Sequence, residues 1–166
     1  TINNQYFLET TINKENITNL NEIEFTDQVL NVNDDIKDIF KQLNQIDNLT
    51  GKIFRLYNAT FSRFPDKTGF QYWVDINSSG ENTYRQTCAS FILSSEFKAK
   101  YGDLIDNEAY LNALYLNLFA RIPDDEGFNY WLGQLNNEFE TREEVLMGFS
   151  ESIENKNIFA EKIGLI

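Results

Sequence analysis

Apolar residues along most of the chain recur every three or four positions, the spacing that places them on one face of a helix. Ile36, Ile39, Phe40 and Leu43 do so within a stretch from Asp34 to about Ile46. Ile53, Tyr57, Thr60, Phe61 and Phe64 repeat the pattern, and Leu111, Leu114, Tyr115, Leu118, Phe119 and Ile122 repeat it again. Pro65 and Pro123 stop these two helices, because proline disfavours the helical conformation in the residue before it. Asp66 and Asp124 stand where a carboxylate caps the helix that follows. Gly69 and Gly127 fall in its first turn, where a missing side chain admits another backbone. Third helices run from Glu81 to about Leu93 and from a capping box formed by Thr141 and Glu144. Ser94 and Ser152 lead into short fourth helices, with Gly102 and Gly164 at or near their ends. The stretch from Thr1 to Asn33 follows another rhythm. Tyr6-Phe7-Leu8 and Glu22-Ile23-Glu24-Phe25 read as strands, Thr26-Asp27-Gln28 as a turn, and Val29-Leu30-Asn31-Val32 as the returning strand.

The helices come in two copies. At one fixed offset, Leu56-Tyr57 meets Leu114-Tyr115, Arg63 meets Arg121, and Pro65-Asp66 meets Pro123-Asp124. Gly69-Phe70 meets Gly127-Phe128, and Tyr72-Trp73 meets Tyr130-Trp131. Phe91, Ser94 and Glu96 meet Phe149, Ser152 and Glu154 without a gap. Both Trp and both Pro of the chain fall in register, which chance does not produce. The expected fold is mainly α: two tandem repeated helical units plus an N-terminal helix and a small N-terminal β-hairpin. Residues 1–33 form the β annex, the remnant of an upstream region. Residues 34–166 form the helical domain, with repeat 1 at about 50–103 and repeat 2 at about 104–166.

Composition narrows the chemistry. The 166 residues suit one domain with a real core. A net charge of −12 argues against a nucleic-acid backbone or an anionic membrane as partner. The absence of His removes the commonest general base and transition-metal ligand. A single Cys removes an intrachain disulfide and multi-Cys zinc sites. No apolar run approaches the roughly 18 residues of a membrane span. Starting at Thr1, the sequence reads as a piece of something longer. Charge is uneven: residues 1–50 carry a net −6, residues 51–103 a net +2 and residues 104–166 a net −8. The middle third is therefore expected to dock on an acidic neighbour, within the chain or on another copy.

The unit Leu-Tyr, Arg-x-Pro-Asp-x-x-Gly-Phe-x-Tyr-Trp, then Phe-x-x-Ser-x-Glu, resembles the bacterial domain-of-unknown-function family 4214. Leu56, Tyr57, Arg63, Pro65, Asp66, Gly69, Tyr72, Trp73, Phe91, Ser94 and Glu96 carry the likeness, as do their counterparts in the second copy, over roughly residues 50–160. The resemblance implies a helical accessory module, distantly similar to phycobilisome linker domains, in secreted calcium-repeat proteins, surface-layer proteins and glycan-processing enzymes. The run Ile17 to Asp27 is similar to a strand pair that precedes such modules in type I secreted calcium-repeat chains. Together they imply the C-terminal segment of a secreted or cell-surface protein, so an extracellular setting.

Candidate site residues follow from the repeat. Tyr72, Trp73, Tyr130 and Trp131 offer aromatic faces for stacking on a sugar, and Arg63 and Arg121 a fork for a carboxylate or acidic sugar. Each has a structural reading too. One member of every Tyr-Trp pair must face inward, which favours Trp in the core and leaves Tyr72 and Tyr130 exposed. Each Arg ends a helix and precedes Asp66 or Asp124 by three residues, the spacing of a clasp across the turn. Asp66, Asp124, Gly69 and Gly127 read as structural.

Calcium is the one cofactor the oxygen-rich stretches suggest. Asn31, Asn33 and Asp35 alternate as in a calcium loop, but Ile36 stands where the tight-turn glycine belongs. The acidic run Asp124-Asp125-Glu126 has lost two of its acids in the first copy, at Lys67 and Thr68. No metal and no cofactor is therefore expected. Cys88, whose counterpart is Leu146, reads as buried, and no pair of carboxylates marks an enzyme. The expected role is a non-catalytic binding or adhesion module directed at a glycan. The alternative is a structural linker or surface-lattice module acting through protein–protein contacts, self-association included, with no nucleic acid and no membrane insertion among its partners.

Overall fold

A computed structural model of the chain describes residues 7–9, 14–16, 20–24, 29–103 and 105–165. Among them are four short strands, a π-helical segment and nine α-helices. Strand β1 (Phe7–Glu9) pairs antiparallel with β2 (Lys14–Asn16), and β3 (Glu22–Glu24) with β4 (Val29–Asn31). Two small sheets thus stand where one hairpin was expected. The expected strand residues Tyr6 and Phe25, the turn Thr26-Asp27-Gln28 and much of the run Ile17 to Asp27 lie outside the described residues. Val32 is not the end of a strand. It opens the π-helical segment Val32–Asp38, which continues into α1 (Ile39–Gln42). Asn31 sets that start by accepting hydrogen bonds from the Asn33 and Asp34 amides, both at 3.0 Å. Leu30, Val32 and Ile36 are buried together against Ile23 and Phe40, so the sheet is anchored to the helices by a small core of its own.

The two copies fold alike. Helices α2 (Leu49–Phe61) and α6 (Asn107–Phe119) occupy matching positions, as do α3 (Lys67–Ser78) and α7 (Asp125–Asn136). Helix α4 (Tyr84–Leu93) corresponds to α8 (Arg142–Ser150), and α5 (Ser95–Tyr101) to the longer α9 (Ile153–Ile163). Caps agree as well. Asp66 and Asp124 accept from the Gly69 and Gly127 amides at 2.8 Å, and Thr83 forms with Gln86 the same capping box as Thr141 with Glu144.

The stop signals differ from the expectation. Helix α2 ends at Phe61 and α6 at Phe119, well before the prolines. The residue that follows each, Ser62 or Ala120, takes a left-handed conformation at φ 54° or 50°. A side chain there costs about 1 kcal/mol, a strain repeated in both copies. Pro65 and Pro123 instead fix the extended approach to the next cap. A second left-handed pair, Gly80 and Glu138, lies at the same offset.

One core joins the units. Helix α4 packs against α8, and α2 against both α6 and α8. Asn117 donates to the carbonyl of its own counterpart, Ala59, at 3.1 Å where α6 crosses α2. Arg55, only 1 % exposed, donates to both carboxylate oxygens of Glu151 at 2.8 Å and to the Ile46 carbonyl at 2.8 Å. Its guanidinium lies over Phe159, 4.9 Å from the ring centre. Arg85 pairs with Glu143 at 3.2 Å and Glu144 at 3.3 Å. The positive middle third thus meets the acidic last third inside the chain.

One contact has changed hands between copies. The Tyr84 hydroxyl donates to the Lys52 carbonyl at 3.2 Å, and the Lys52 ammonium lies 5.9 Å from the Tyr84 ring centre. In the second unit Tyr110, counterpart of Lys52, donates to the carbonyl of Arg142, counterpart of Tyr84, at 2.8 Å. There the Arg142 guanidinium lies 5.3 Å from the Tyr110 ring centre.

Glu151→Gln leaves the Arg55 charge buried without its counter-charge. The expected loss is about 3 kcal/mol in urea unfolding. Lys41→Met, which breaks the exposed pair Lys41–Asp38, should leave the urea midpoint almost where it was.

Candidate functional site: the twin aromatic clusters

In each unit the motif residues converge on one cluster. Helix α2 supplies Tyr57 and Phe61, the turn supplies Arg63, α3 supplies Gly69 and Trp73, and α4 supplies Phe91. The Tyr57 and Phe91 rings meet edge to face at 4.8 Å, Phe61 stacks on Phe91 at 5.2 Å, and Trp73 packs on Phe91 at 5.3 Å. The second unit repeats this with Tyr115 on Phe149 at 5.0 Å, Phe119 at 6.3 Å and Trp131 at 5.5 Å. The two tryptophans are thus half-buried parts of the cluster wall.

The glycines are required by the tyrosines. A Cβ on Gly69 would sit 2.5 Å from the Tyr57 hydroxyl, and one on Gly127 2.7 Å from that of Tyr115. Both distances are shorter than carbon and oxygen tolerate. The tyrosine, not another backbone, occupies the space that the glycine frees.

Each arginine is held on three sides. Arg63 lies over Tyr57 and Phe61, 5.1 Å and 5.6 Å from the ring centres, and donates to the two oxygens of Glu96 at 2.6 Å and 2.9 Å. It reaches the capping Asp66 only at 4.0 Å. The partner that matters is therefore the distant glutamate that closes the motif, more than the Asp across the turn. The hydrogen bonds to Glu96 hold the Arg63 guanidinium above its ordinary pKa. Arg121 repeats the arrangement with Glu154 at 3.3 Å and 3.4 Å, with Asp124 at 3.5 Å, and over Tyr115 and Phe119. It is the looser and more exposed of the two. Spacing carried this signal: the step from Arg to Glu is the same in both copies.

Tyr72 and Tyr130 stand apart from the cluster interior. They are 56 % and 55 % exposed, and each ring sits edge-on to its neighbouring Trp, with centres 5.0 Å apart in both copies. Of the six candidate residues, the structure thus leaves two aromatic faces open, seats two indoles in the wall and engages both guanidinia with glutamate.

Elsewhere, an open groove of about 530 Å³ is lined by Asp106, Asn107, Glu108, Leu132, Asn136 and Arg142. Its polar groups serve one another: Arg142 donates to Asn107 at 2.9 Å and 3.1 Å, and Asn107 to Asn136 at 2.9 Å. None of the candidate residues lines it. Among the described residues no group of three or more Cys, Asp or Glu side chains is placed to hold a metal ion. Three of the residues expected to suit calcium accept from backbone amides instead: Asn31 and Asp124 as above, and Asp35 from the Asn31 and Lys67 amides at 2.8 Å and 2.7 Å. Cys88 is fully buried, and burial pushes its thiol up to about 12. No helix among the described residues is long and apolar enough to cross a membrane.

Residues 88–159, from α4 of the first unit into α9 of the second, match the model of a family described as a domain of unknown function (DUF4214). No curated protein and no solved structure matches the chain.

Gly69→Ala should cost about 1 kcal/mol net, since the clash with Tyr57 outweighs the better helix propensity of Ala. In a double-mutant cycle Tyr57→Phe removes the offending oxygen and should make the same Gly69→Ala neutral or favourable; additive losses would refute the contact. Burial also raises the hydroxyls of Tyr57, Tyr84 and Tyr110, so the folded chain keeps protons that the unfolded chain releases at high pH. Stability should hold below about pH 9 and fall as pH rises beyond about 10, the ordinary tyrosine value, which melting curves from pH 7 to 11 would follow.

Proposed function

We propose that this chain is a non-catalytic binding module whose contact residues are Tyr72 and Tyr130, and that its ligand is a glycan. The observation that carries this reading is the pair of exposed phenol rings at matching positions, each braced edge-on by a tryptophan. A braced ring loses little side-chain freedom on binding and offers a flat apolar face with a polar tip, which is what stacking on a sugar ring needs. Two such faces on one rigid domain raise avidity for a repeating polymer. Trp73 and Trp131 act as supports. Arg63 and Arg121, engaged by Glu96 and Glu154, set the turn beside each face, and only the looser Arg121 has freedom to turn toward an acidic sugar. With its net charge of −12 the chain would repel phosphate backbones and anionic lipid surfaces, so nucleic acid and membrane are not its partners. The resemblance of the sequence motif to modules of secreted and surface proteins favours an extracellular setting. The second reading is a linker or lattice role through protein–protein contacts. Exposed Leu116, Ile122 and Ile153 favour it.

A glycan array probed with the native chain and with Tyr72→Ala, Tyr130→Ala and the double variant tests the proposal. Each single loss should weaken binding about tenfold, and the double should abolish it with the helical circular dichroism unchanged. Binding to nothing on the array, or equal binding by the double variant, would sink the glycan reading.

A further inference from the structure

The first unit is covered on one side by a segment that has no counterpart on the second. Phe40 of α1 packs on Phe54 at 5.8 Å and on Phe64 at 6.0 Å. The same segment reaches the start of α3, where Asp34 and Asp38 accept from the Lys67 ammonium at 3.0 Å and 3.3 Å, and Asp35 from the Lys67 amide. Under this cover Phe64 is 37 % exposed. Its counterpart Ile122 is 85 % exposed. Ile153, one residue before the Glu154 that binds Arg121, the neighbour of Ile122, is 80 % exposed. The counterpart of Phe54 is the polar Asn112, and the apolar side chain there is supplied one turn further along α6 by Leu116, 64 % exposed.

Charge at this face is reversed. The counterparts of Lys67 and Thr68 are Asp125 and Glu126, both exposed. The acidic face of the N-terminal segment, which suits Lys67, would be repelled here, so a second copy offering that segment is a poor occupant. Arg55, Arg63, Arg85 and Lys67 are already paired within the chain, so these four cations of a second copy are engaged elsewhere.

We propose that the Leu116, Ile122 and Ile153 face of the second unit, with Asp125 and Glu126 at its rim, docks a basic amphipathic helix of a partner protein. That helix takes the place residues 32–42 take on the first unit, with an apolar or aromatic side chain on Ile122 and Leu116 in place of the Phe64 and Phe54 walls, and Lys or Arg against the two carboxylates. Apolar burial at the centre and opposite charge at the rim give the contact both affinity and choice of partner.

The probe is a labelled peptide of residues 29–46 carrying Asp34→Lys, Asp35→Lys and Asp38→Lys, titrated with the full chain by fluorescence anisotropy. It should bind at least about tenfold more tightly than the unaltered peptide, and salt should weaken it. Ile122→Ser with Ile153→Ser should abolish binding, and Asp125→Lys with Glu126→Lys should lower it about tenfold. These side chains are exposed, so the variants should fold, which circular dichroism checks. No binding, or binding that these variants leave unchanged, overturns the proposal. Sedimentation of the unlabelled chain as a dimer that Ile122→Ser returns to monomer overturns it in favour of a second copy.

Discussion

The architecture turns on a hydroxyl pressed against a glycine. Tyr57 over Gly69, and Tyr115 over Gly127, fix how closely the first helix of a unit approaches the second. Once that distance is set, the tyrosine ring has one place to lie, and the rings from the third helix close around it. The arginine from the intervening turn then covers the outer face and reaches the glutamate that opens the fourth helix. A single small residue thus governs the approach of two helices and, through one ring and one guanidinium, the placing of the other two. The buried charge is tolerated because carboxylate, carbonyl and ring faces surround it.

The copied motif made the fold legible. Its Pro, Asp and Gly announce a turn and a cap, its apolar spacing announces helices, and the offset demands that whatever holds for Trp73 holds for Trp131. What stayed hidden is tertiary. No local rule says that Ser62 and Ala120 turn left-handed ahead of the proline, since neither side chain favours it. Nearness in sequence matches Arg63 to Asp66, yet the longer reach to Glu96 gives two short hydrogen bonds on a partly buried pair. The outward turn of Tyr72 and Tyr130 follows from the 100° step between helix neighbours, once the tryptophans pack inward. The second sheet pairing, Phe7–Glu9 with Lys14–Asn16, has too few residues for an alternating pattern to stand out.

Electrostatics divides the chain into what is matched and what is not. Of the cations of the middle third, Arg55 and Arg85 bind across the unit boundary and Lys67 binds the N-terminal segment, so these three serve cohesion. The acidic excess of the last third has too few cations left to neutralise it. Repulsion among those carboxylates opposes non-specific association, and the exposed Ile122 lies two to four residues before Asp124, Asp125 and Glu126 in the chain.

The exchange at Lys52/Tyr84 and Tyr110/Arg142 shows how far the twins have drifted. In one unit the ring comes from the third helix and the cation from the first; in the other the donors are swapped, while the space between the helices still holds one ring and one cation. A chimera mixing the two would bring either two phenols into a gap sized for one or two cations with no ring between them. Descendants of the original duplication had to pass through one of those misfits or change both sites together, so the halves are no longer interchangeable spare parts but a matched set.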